Sequence, residues 1–555
     1  MNKKVCSFPI LFALLALLIG TCAVVFPASA QAAPTSTGSI TVSGTVASSY
    51  DAYQIFSANV VDGDNDAKIA TDLAWASDAV RDAALPVLHS AGMSNSQTTA
   101  QEAAEWLNTD SHLPSALSAQ LARSLQSSGA EPVALNAGTA AELPCGYWLI
   151  VADDDAIAQG EVGTAPIMAL VGGSAVTVKP KAATPKVAKH VLEDSAAAWQ
   201  KAADATVADD LYWRLSATVP AGLAAYDTYT VRFVDTMSAG LDPSKVAASM
   251  RVYAAAGADG GFDAVQAGKD GRAGTEPAKG WTDITAQCAT KVAADGTFTV
   301  RTGDLIAALG GADAFTAGAR VVAVYNAPLN SACNHGIAKG NPNEVYLRYP
   351  RSPFADQSGD AGFTRTPSDD ACAYTWDLAL TKRGSDGDKP LAGAVLSIAD
   401  DRGRTLAADG TWDAEGKATV TTGEDGRVTV SGVDSGKLEV RELKAPKGYT
   451  AFEGTRSVTV KAEGLDVDQV AAAKPKLTIT AESPLRADSA DGSTGSLEAS
   501  LINTPTGTPP SITTGGFMPS TGDMAMYAAA AAAVAGAALI VVALLVKRGG
   551  GSHKE

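Results

Sequence analysis

Histidine, aromatic residues and positive charge are all scarce in this sequence, and each scarcity closes off a class of function. The five histidines, His89, His112, His190, His335 and His553, are scattered through 555 residues. None has a second His or Cys at zinc-ligand spacing, so no metal site is expected. The GxSxG of serine hydrolases, the HExxH of zinc proteases and the paired carboxylates of glycosidases are missing too, which leaves no basis for an enzyme or a cofactor. Against 60 Asp and Glu stand only 43 Lys and Arg, for a net charge of −17. Nucleic acid is bound through Lys/Arg-rich faces, so it is excluded as a partner. The same balance suits a solvated, self-repelling surface outside a cell. Aromatics make up 6% of the chain, and Ala, Gly, Thr, Ser, Val and Asp dominate.

What is present is an apolar fraction of 46%, ample for several packed cores. At about 100–200 residues per domain, the length accommodates three or four domains. Lys3 and Lys4 precede an apolar run from Phe8 to Phe26, followed by Pro27-Ala28-Ser29-Ala30. A charged start, an apolar middle and a small-x-small end make residues 1–30 a secretory signal peptide, cut after Ala30, with Ala33 a second option. Thr21 directly before Cys22 fits lipoprotein processing poorly. Cys6 and Cys22 leave with the signal, and Cys145, Cys288, Cys333 and Cys372 remain. Four cysteines in an exported chain allow up to two disulfides, in three connectivities. Cys288 with Cys333 is the expected pair, since both fall inside one expected domain. Cys145 and Cys372 would then bridge different domains or stay free.

The C-terminal tail is the most informative stretch. Residues 504–517 are a Pro/Gly/Thr linker that cannot pack a core. Met518-Pro519-Ser520-Thr521-Gly522 follows, then an apolar run from Met524 to Val546, then Lys547-Arg548. At about 1.5 Å per residue the run spans roughly 34 Å, enough for a bilayer core of about 30 Å. The basic pair behind it fixes that end inside the cell. Taken together, pentapeptide, helix and basic tail resemble the LPXTG sorting signal of Gram-positive surface proteins, with Met518 in place of Leu. The resemblance implies that a membrane sortase attacks the Thr521 carbonyl through its thiolate and expels Gly522, leaving an acyl-enzyme that an amine resolves.

Between Gln31 and Asn503 the reading is mainly β. Short alternating runs such as Tyr229-Thr230-Val231-Arg232-Phe233 and Arg456-Ser457-Val458-Thr459-Val460 are separated by Gly/Asp/Asn-rich turns, as in tandem Ig-like sandwiches. An Ala-rich region from Thr71 to Ser128, with apolar residues three and four apart, predicts a helical insertion in the first domain. Boundary signals place a first domain at 31–178, a linker at 179–185, a second domain at 186–353 and a third at 373–503.

The third domain carries Leu378-Ala379-Leu380-Thr381-Lys382 near its start, Glu442-Leu443-Lys444-Ala445-Pro446-Lys447-Gly448-Tyr449 later, and Leu501-Ile502-Asn503-Thr504 at its close. It resembles the collagen-adhesin B-type (Cna-B) modules of surface proteins and pilins. The second domain, with Pro185-Lys186-Val187-Ala188-Lys189, Phe233-Val234-Asp235-Thr236 and Asn341-Pro342-Asn343-Glu344-Val345, resembles pilin domains of the same chemistry. The resemblance implies intramolecular isopeptide bonds: Lys189 to Asn343 assisted by Asp235, and Lys382 to Asn503 assisted by Glu442. Asn341 shares the phase of Asn343, Val345 and Leu347, but Pro342 is expected to end the strand before it. The residue types fit the chemistry. Burial strips a lysine of its charge and makes it a nucleophile, while keeping a neighbouring acid protonated to polarise the amide and pass a proton to departing ammonia. The first domain opens with Ile40-Thr41-Val42-Ser43-Gly44-Thr45-Val46, without lysine, and no bond is expected there.

Backbone pilins carry a linking lysine after their first domain, typically in Tyr-Pro-Lys-Asn. This chain offers Lys179-Pro180-Lys181, which keeps the Pro-Lys core; Lys181 is the expected nucleophile and Lys179 the fallback. The resemblance therefore implies a shaft pilin, secreted through a transient single-pass membrane precursor and anchored on the cell wall. Its implied partners are a sortase, further copies of itself, peptidoglycan, minor pilins and host surface ligands. The runner-up is a wall-anchored adhesin or minor pilin joined once to peptidoglycan and binding a host ligand.

Overall fold

Alternation of apolar and polar residues drives most of the chain into strands, because each strand can then bury one face and solvate the other. The computed structural model describes residues 36–64, 67–109, 115–180, 184–219, 223–257, 280–311 and 318–507. The signal peptide, Lys181, the sorting signal and the apolar run after it lie outside the described residues. Among the described residues no helix is long and apolar enough to cross a membrane.

Three β units follow one another. In the first, the strand Thr37–Val42 lies between Ala140–Pro144, antiparallel, and Val176–Val178, parallel. A five-stranded sheet centred on Ser49–Asp62 and Gly146–Ala152 covers it, with Ile40, Val42, Tyr50, Trp148 and Val171 between the two layers. The opposite face of that larger sheet presents Tyr53, Ile55, Leu149 and Val151 to three helices, Asp78–Ser90, Ala100–Asn108 and Ser115–Ser127. Ser77 caps the first helix, and Thr99 with Glu102 forms a capping box on the second. The helical insertion therefore begins at Asp78, not Thr71. Ile69 and Leu73 have helical spacing, but Lys68–Trp75 pairs along Ser49–Asp62 as a strand, and tertiary pairing outweighs local propensity.

The second unit is a sandwich of a six-stranded and a seven-stranded sheet. The first holds Lys186–Glu193, Tyr212–Val219 and Ala319–Asn326 side by side. The second holds Arg232–Met237 between Asn341–Pro350 and Thr297–Arg301. Residues 354–372 belong to neither expected domain. Phe363–Arg365 and Asp369–Tyr374 in fact pair with Asn341–Pro350 and complete this sheet. Asn341 is also part of that strand, and Pro342 does not end it.

In the third unit Trp376–Gly384 runs parallel to the last strand, Ser496–Pro505. The facing sheet carries Val395–Ala399, Gly436–Lys444 and Thr455–Glu463.

Polar ties cross both junctions. Arg123, on the third helix, donates to the Ala225 and Pro353 carbonyls at 3.0 and 3.2 Å. Between the second and third units, Arg404 grips Asp209 with two nitrogens at 2.5 and 2.7 Å. The buried Asp204 accepts from the Trp376 indole at 2.6 Å and from the Ser435 hydroxyl at 2.5 Å. The bidentate guanidinium grip and the desolvated carboxylate are the stronger kinds of polar contact.

Candidate functional site

In both crosslink candidates, period two places a polar residue in an otherwise apolar file. Lys189 follows Val187 and precedes Val191; Asp235 lies between Phe233 and Met237; Asn343 precedes Val345 and Leu347. Lys382 continues Leu378 and Leu380, Glu442 continues Leu438 and Val440, and Asn503 continues Ala499 and Leu501. All six point inward. Lys189, Asp235, Asn343 and Lys382 are 0% exposed, Asn503 2% and Glu442 7%. A charged side chain is almost never so deeply buried without a partner, and here the partners are one another.

The second unit brings Lys189, Asp235 and Asn343 together across its two sheets. The Lys189 ammonium contacts Asp235 Oδ2, and its Nζ lies 3.0 Å from the Tyr325 hydroxyl. Asn343 Nδ2 donates to that same hydroxyl at 2.8 Å, and the hydroxyl donates to Asp235 Oδ2 at 3.2 Å. Trp213 and Tyr325 present their rings to the amine at 5.7 and 5.6 Å. Burial pushes Lys189 down to about 8, against the opposing charge of Asp235. Burial likewise lifts Asp235 to about 6, although Lys189 pulls the other way. Desolvation disfavours both charges and shifts each group toward its neutral form.

The third unit builds its site from one carboxylate. Glu442 Oε1 lies 3.5 Å from Lys382 Nζ and accepts from Asn503 Nδ2 at 2.9 Å. Its Oε2 accepts from the Phe452 amide at 3.1 Å. Lys382 Nζ also donates to the Leu501 carbonyl of the neighbouring parallel strand at 3.2 Å. Burial pushes this lysine, too, down to about 8.

Asp235 Oδ1, Asn343 Oδ1 and Asn503 Oδ1 are buried without a hydrogen-bond partner. Buried oxygens are rarely left so.

Asn341 is equally buried but otherwise engaged. It accepts from the Asn334 amide at 2.8 Å and donates to the Asn334 and Ala373 carbonyls at 2.9 and 3.2 Å, clamping the preceding loop. Any side chain at Gly240 would come within 2.2 Å of its Oδ1, so glycine is required there. Beyond the lysine, Lys201 and Asp369 hold the Lys189 backbone. Asp369 accepts from the Lys189 amide at 2.6 Å, and Lys201 donates to the Lys189 carbonyl at 2.8 Å. They stand in for a strand where the neighbour Ala198–Gln200 has ended. Sequence reasoning missed Tyr325, Lys201 and Asp369. Only Tyr325 left a signal, as the polar-tipped residue on the inward file Val321, Ala323, Tyr325.

The expected Cys288–Cys333 disulfide is not made: Cys145, Cys288, Cys333 and Cys372 are all free thiols. Cys288 precedes Ala289, which pairs with Arg301, and Arg301 pairs with Arg232. Cys333 lies against Gly240, beyond Met237 at the other end of the Arg232–Met237 strand. At about 3.3 Å per residue that strand separates them by well over the roughly 7 Å that a disulfide can bridge. Among the described residues no cluster of His, Cys, Asp and Glu is arranged to hold a metal ion.

Residues 377–474 match the SpaA prealbumin-like fold domain. The match takes in the strands bearing Lys382 and Glu442 and stops before Asn503. A stretch of 143 residues is 30% identical to the trypsin-resistant surface T6 protein of Streptococcus pyogenes serotype M6. That stretch is 24% of this chain and 24% of the relative, so the chain spans about a quarter of the curated relative's length. Among solved structures, the T6 backbone pilin of serotype M6 Streptococcus pyogenes is similar over 85% of this chain and 98% of that one, at 16% identity and a TM-score of 0.44. The major pilin SpaD of Corynebacterium diphtheriae is similar over the same shares, at 15% identity and a TM-score of 0.40.

Proposed function

We propose that this chain is a structural subunit of a covalently assembled surface pilus and not an enzyme. The observation that carries the reading is the pair of fully desolvated Lys–acid–Asn constellations, one in each of the two C-terminal units. The curated relative is a surface protein, which supports the same reading. In each unit the neutral amine attacks the Asn side-chain carbonyl, the acid passes a proton to the departing nitrogen, and ammonia leaves. The product is a neutral Lys–Asn amide joining the opening strand to a closing one. On this reading the mature ectodomain weighs two ammonia molecules less than its sequence, measured by intact mass spectrometry. A mass equal to the sequence overturns it.

Polymerisation uses the two ends. A sortase recognises Met518, Pro519 and Ser520, cuts between Thr521 and Gly522, and transfers the Thr521 carbonyl to Lys181 of a neighbouring copy. The last subunit passes to peptidoglycan, which leaves the fibre on the cell wall. Lys179, the fallback nucleophile, is exposed directly after the strand Val176–Val178. The domains on this reading are 31–178, 186–353 extended through the two added strands to Tyr374, and the rest of 373–503. Immunoblots of wall extracts test the joint: a high-mass ladder is expected from the wild type, collapsing to a single band in Lys181→Ala and persisting in Lys179→Ala. Persistence in Lys181→Ala with loss in Lys179→Ala would move the joint to Lys179.

A further inference from the structure

The two pockets solve one geometric problem differently. In the third unit a glutamate reaches both reactants with a single oxygen, Oε1, at 3.5 Å from Lys382 Nζ and 2.9 Å from Asn503 Nδ2. In the second unit the acid is an aspartate, one methylene shorter. It contacts Lys189 directly, while Asn343 Nδ2 is bonded to the Tyr325 hydroxyl. That hydroxyl is the atom common to all three reactants, at 3.0 Å from Lys189 Nζ, 3.2 Å from Asp235 Oδ2 and 2.8 Å from Asn343 Nδ2. A phenol offers one donor and two acceptor sites, and these three contacts use all of them.

We infer that Tyr325 is a catalytic residue of the Lys189–Asn343 crosslink, its hydroxyl carrying the proton from Asp235 to the departing amide nitrogen. The inference rests on the isopeptide reading of this pocket. Attack of neutral Lys189 Nζ on Asn343 Cγ forms the new C–N bond and turns the carbonyl into a tetrahedral adduct. Nδ2, no longer conjugated, gains a lone pair. Protonated Asp235 then donates to the Tyr325 oxygen while the Tyr325 O–H donates to Nδ2. The Cγ–Nδ2 bond breaks, the carbonyl re-forms, ammonia leaves, and Asp235 recovers its proton from the new Nζ. Each group ends as it began except the lysine and the asparagine, which have together lost one ammonia.

The surroundings hold the phenol to this task. Tyr325 is 0% exposed, its ring packs edge-on to Phe298 at 4.8 Å, and its strand is hydrogen-bonded between Tyr212–Val219 and Arg251–Ala256. No water is needed as the shuttle, and a buried phenol placed by the sheet loses little freedom on reaction.

Tyr325→Phe removes one oxygen and keeps the ring, and the third unit serves as an internal control. In the intact ectodomain, Tyr325→Phe is expected to be one ammonia lighter than its sequence, where the wild type is two lighter. Peptide mapping of freshly synthesised protein should then find Lys382 joined to Asn503 and Lys189 free, or joined at a rate at least tenfold below the wild type. A Phe variant that forms both bonds at the wild-type rate overturns the role of Tyr325. A wild type lacking the Lys189–Asn343 bond overturns the crosslink reading itself, which keeps the two failures apart. Because a misfolded second unit would also leave Lys189 free, Tyr325→Phe is compared with Phe298→Leu. Loosened packing should slow the bond in both, whereas a proton-relay role slows it in Tyr325→Phe alone.

Discussion

Asn343→Ala and Asn503→Ala are each expected to leave the mature ectodomain one ammonia lighter than its own sequence, where the wild type is two lighter, and to lower the stability of the affected unit by about 5 kcal/mol. The figure follows from loop closure: a covalent link between residues so far apart in sequence removes that much chain entropy from the unfolded state. Asp235→Ala should be worse. It abolishes the same bond and also strands Lys189, which is 0% exposed, without its counter-charge, and a buried ion pair broken on one side costs a further ~3–5 kcal/mol. Denaturant unfolding of the three variants, with crosslinking read by mass, checks the order. Equal stability of Asn343→Ala and wild type would show that the pocket braces nothing, and equal loss in Asp235→Ala and Asn343→Ala would show that Lys189 is not held as an ion.

The uncrosslinked Asn343→Ala protein should also show an unusual dependence of stability on pH, a valley where most proteins have a plateau. Asp235 titrates at about 6 in the fold against an ordinary 3.8. Between those values the folded state holds more protons than the unfolded one, so stability falls as pH rises. Lys189 titrates at about 8 against 10.5. Between those values the unfolded state holds more protons, so stability climbs with pH. The floor lies from about 6 to about 8, where the core must carry both charges, and each flank amounts to about 3 kcal/mol at 1.36 kcal/mol per unit. In the crosslinked wild type Lys189 is an amide and its flank is gone. The difference between the two pH–stability curves isolates the pair; parallel curves would rule it out.

The strands that build the pockets were legible because their chemistry breaks an otherwise apolar alternation. A lysine after Leu378 and Leu380, or an aspartate between Phe233 and Met237, stands out in a file of core residues. The resemblances to Cna-B modules and pilins then linked positions that no local pattern could join. What stayed hidden was set by partners distant in sequence. Tyr325 looks like any aromatic core residue until the facing sheet brings Asp235 and Asn343 to its hydroxyl. Lys201 and Asp369 matter only because a neighbouring strand stops short of Lys189. The strand Lys68–Trp75 was lost to helical spacing, and the two strands after Phe354 to the gap left between the second and third expected domains. The misjudged disulfide has the same origin, since sharing a domain says nothing about sharing an end of it.

Each lysine lies on the strand that opens its unit, and each asparagine on a strand close to the unit's end. With both amides formed, a longitudinal load passes from Lys189 straight to Asn343 and from Lys382 straight to Asn503, and the residues between each pair hang beside the load path. A fibre of such subunits has almost no slack to pay out. It would also stay continuous if a protease cut any loop inside either span, because the severed ends would remain tied through a bond that is not part of the main chain.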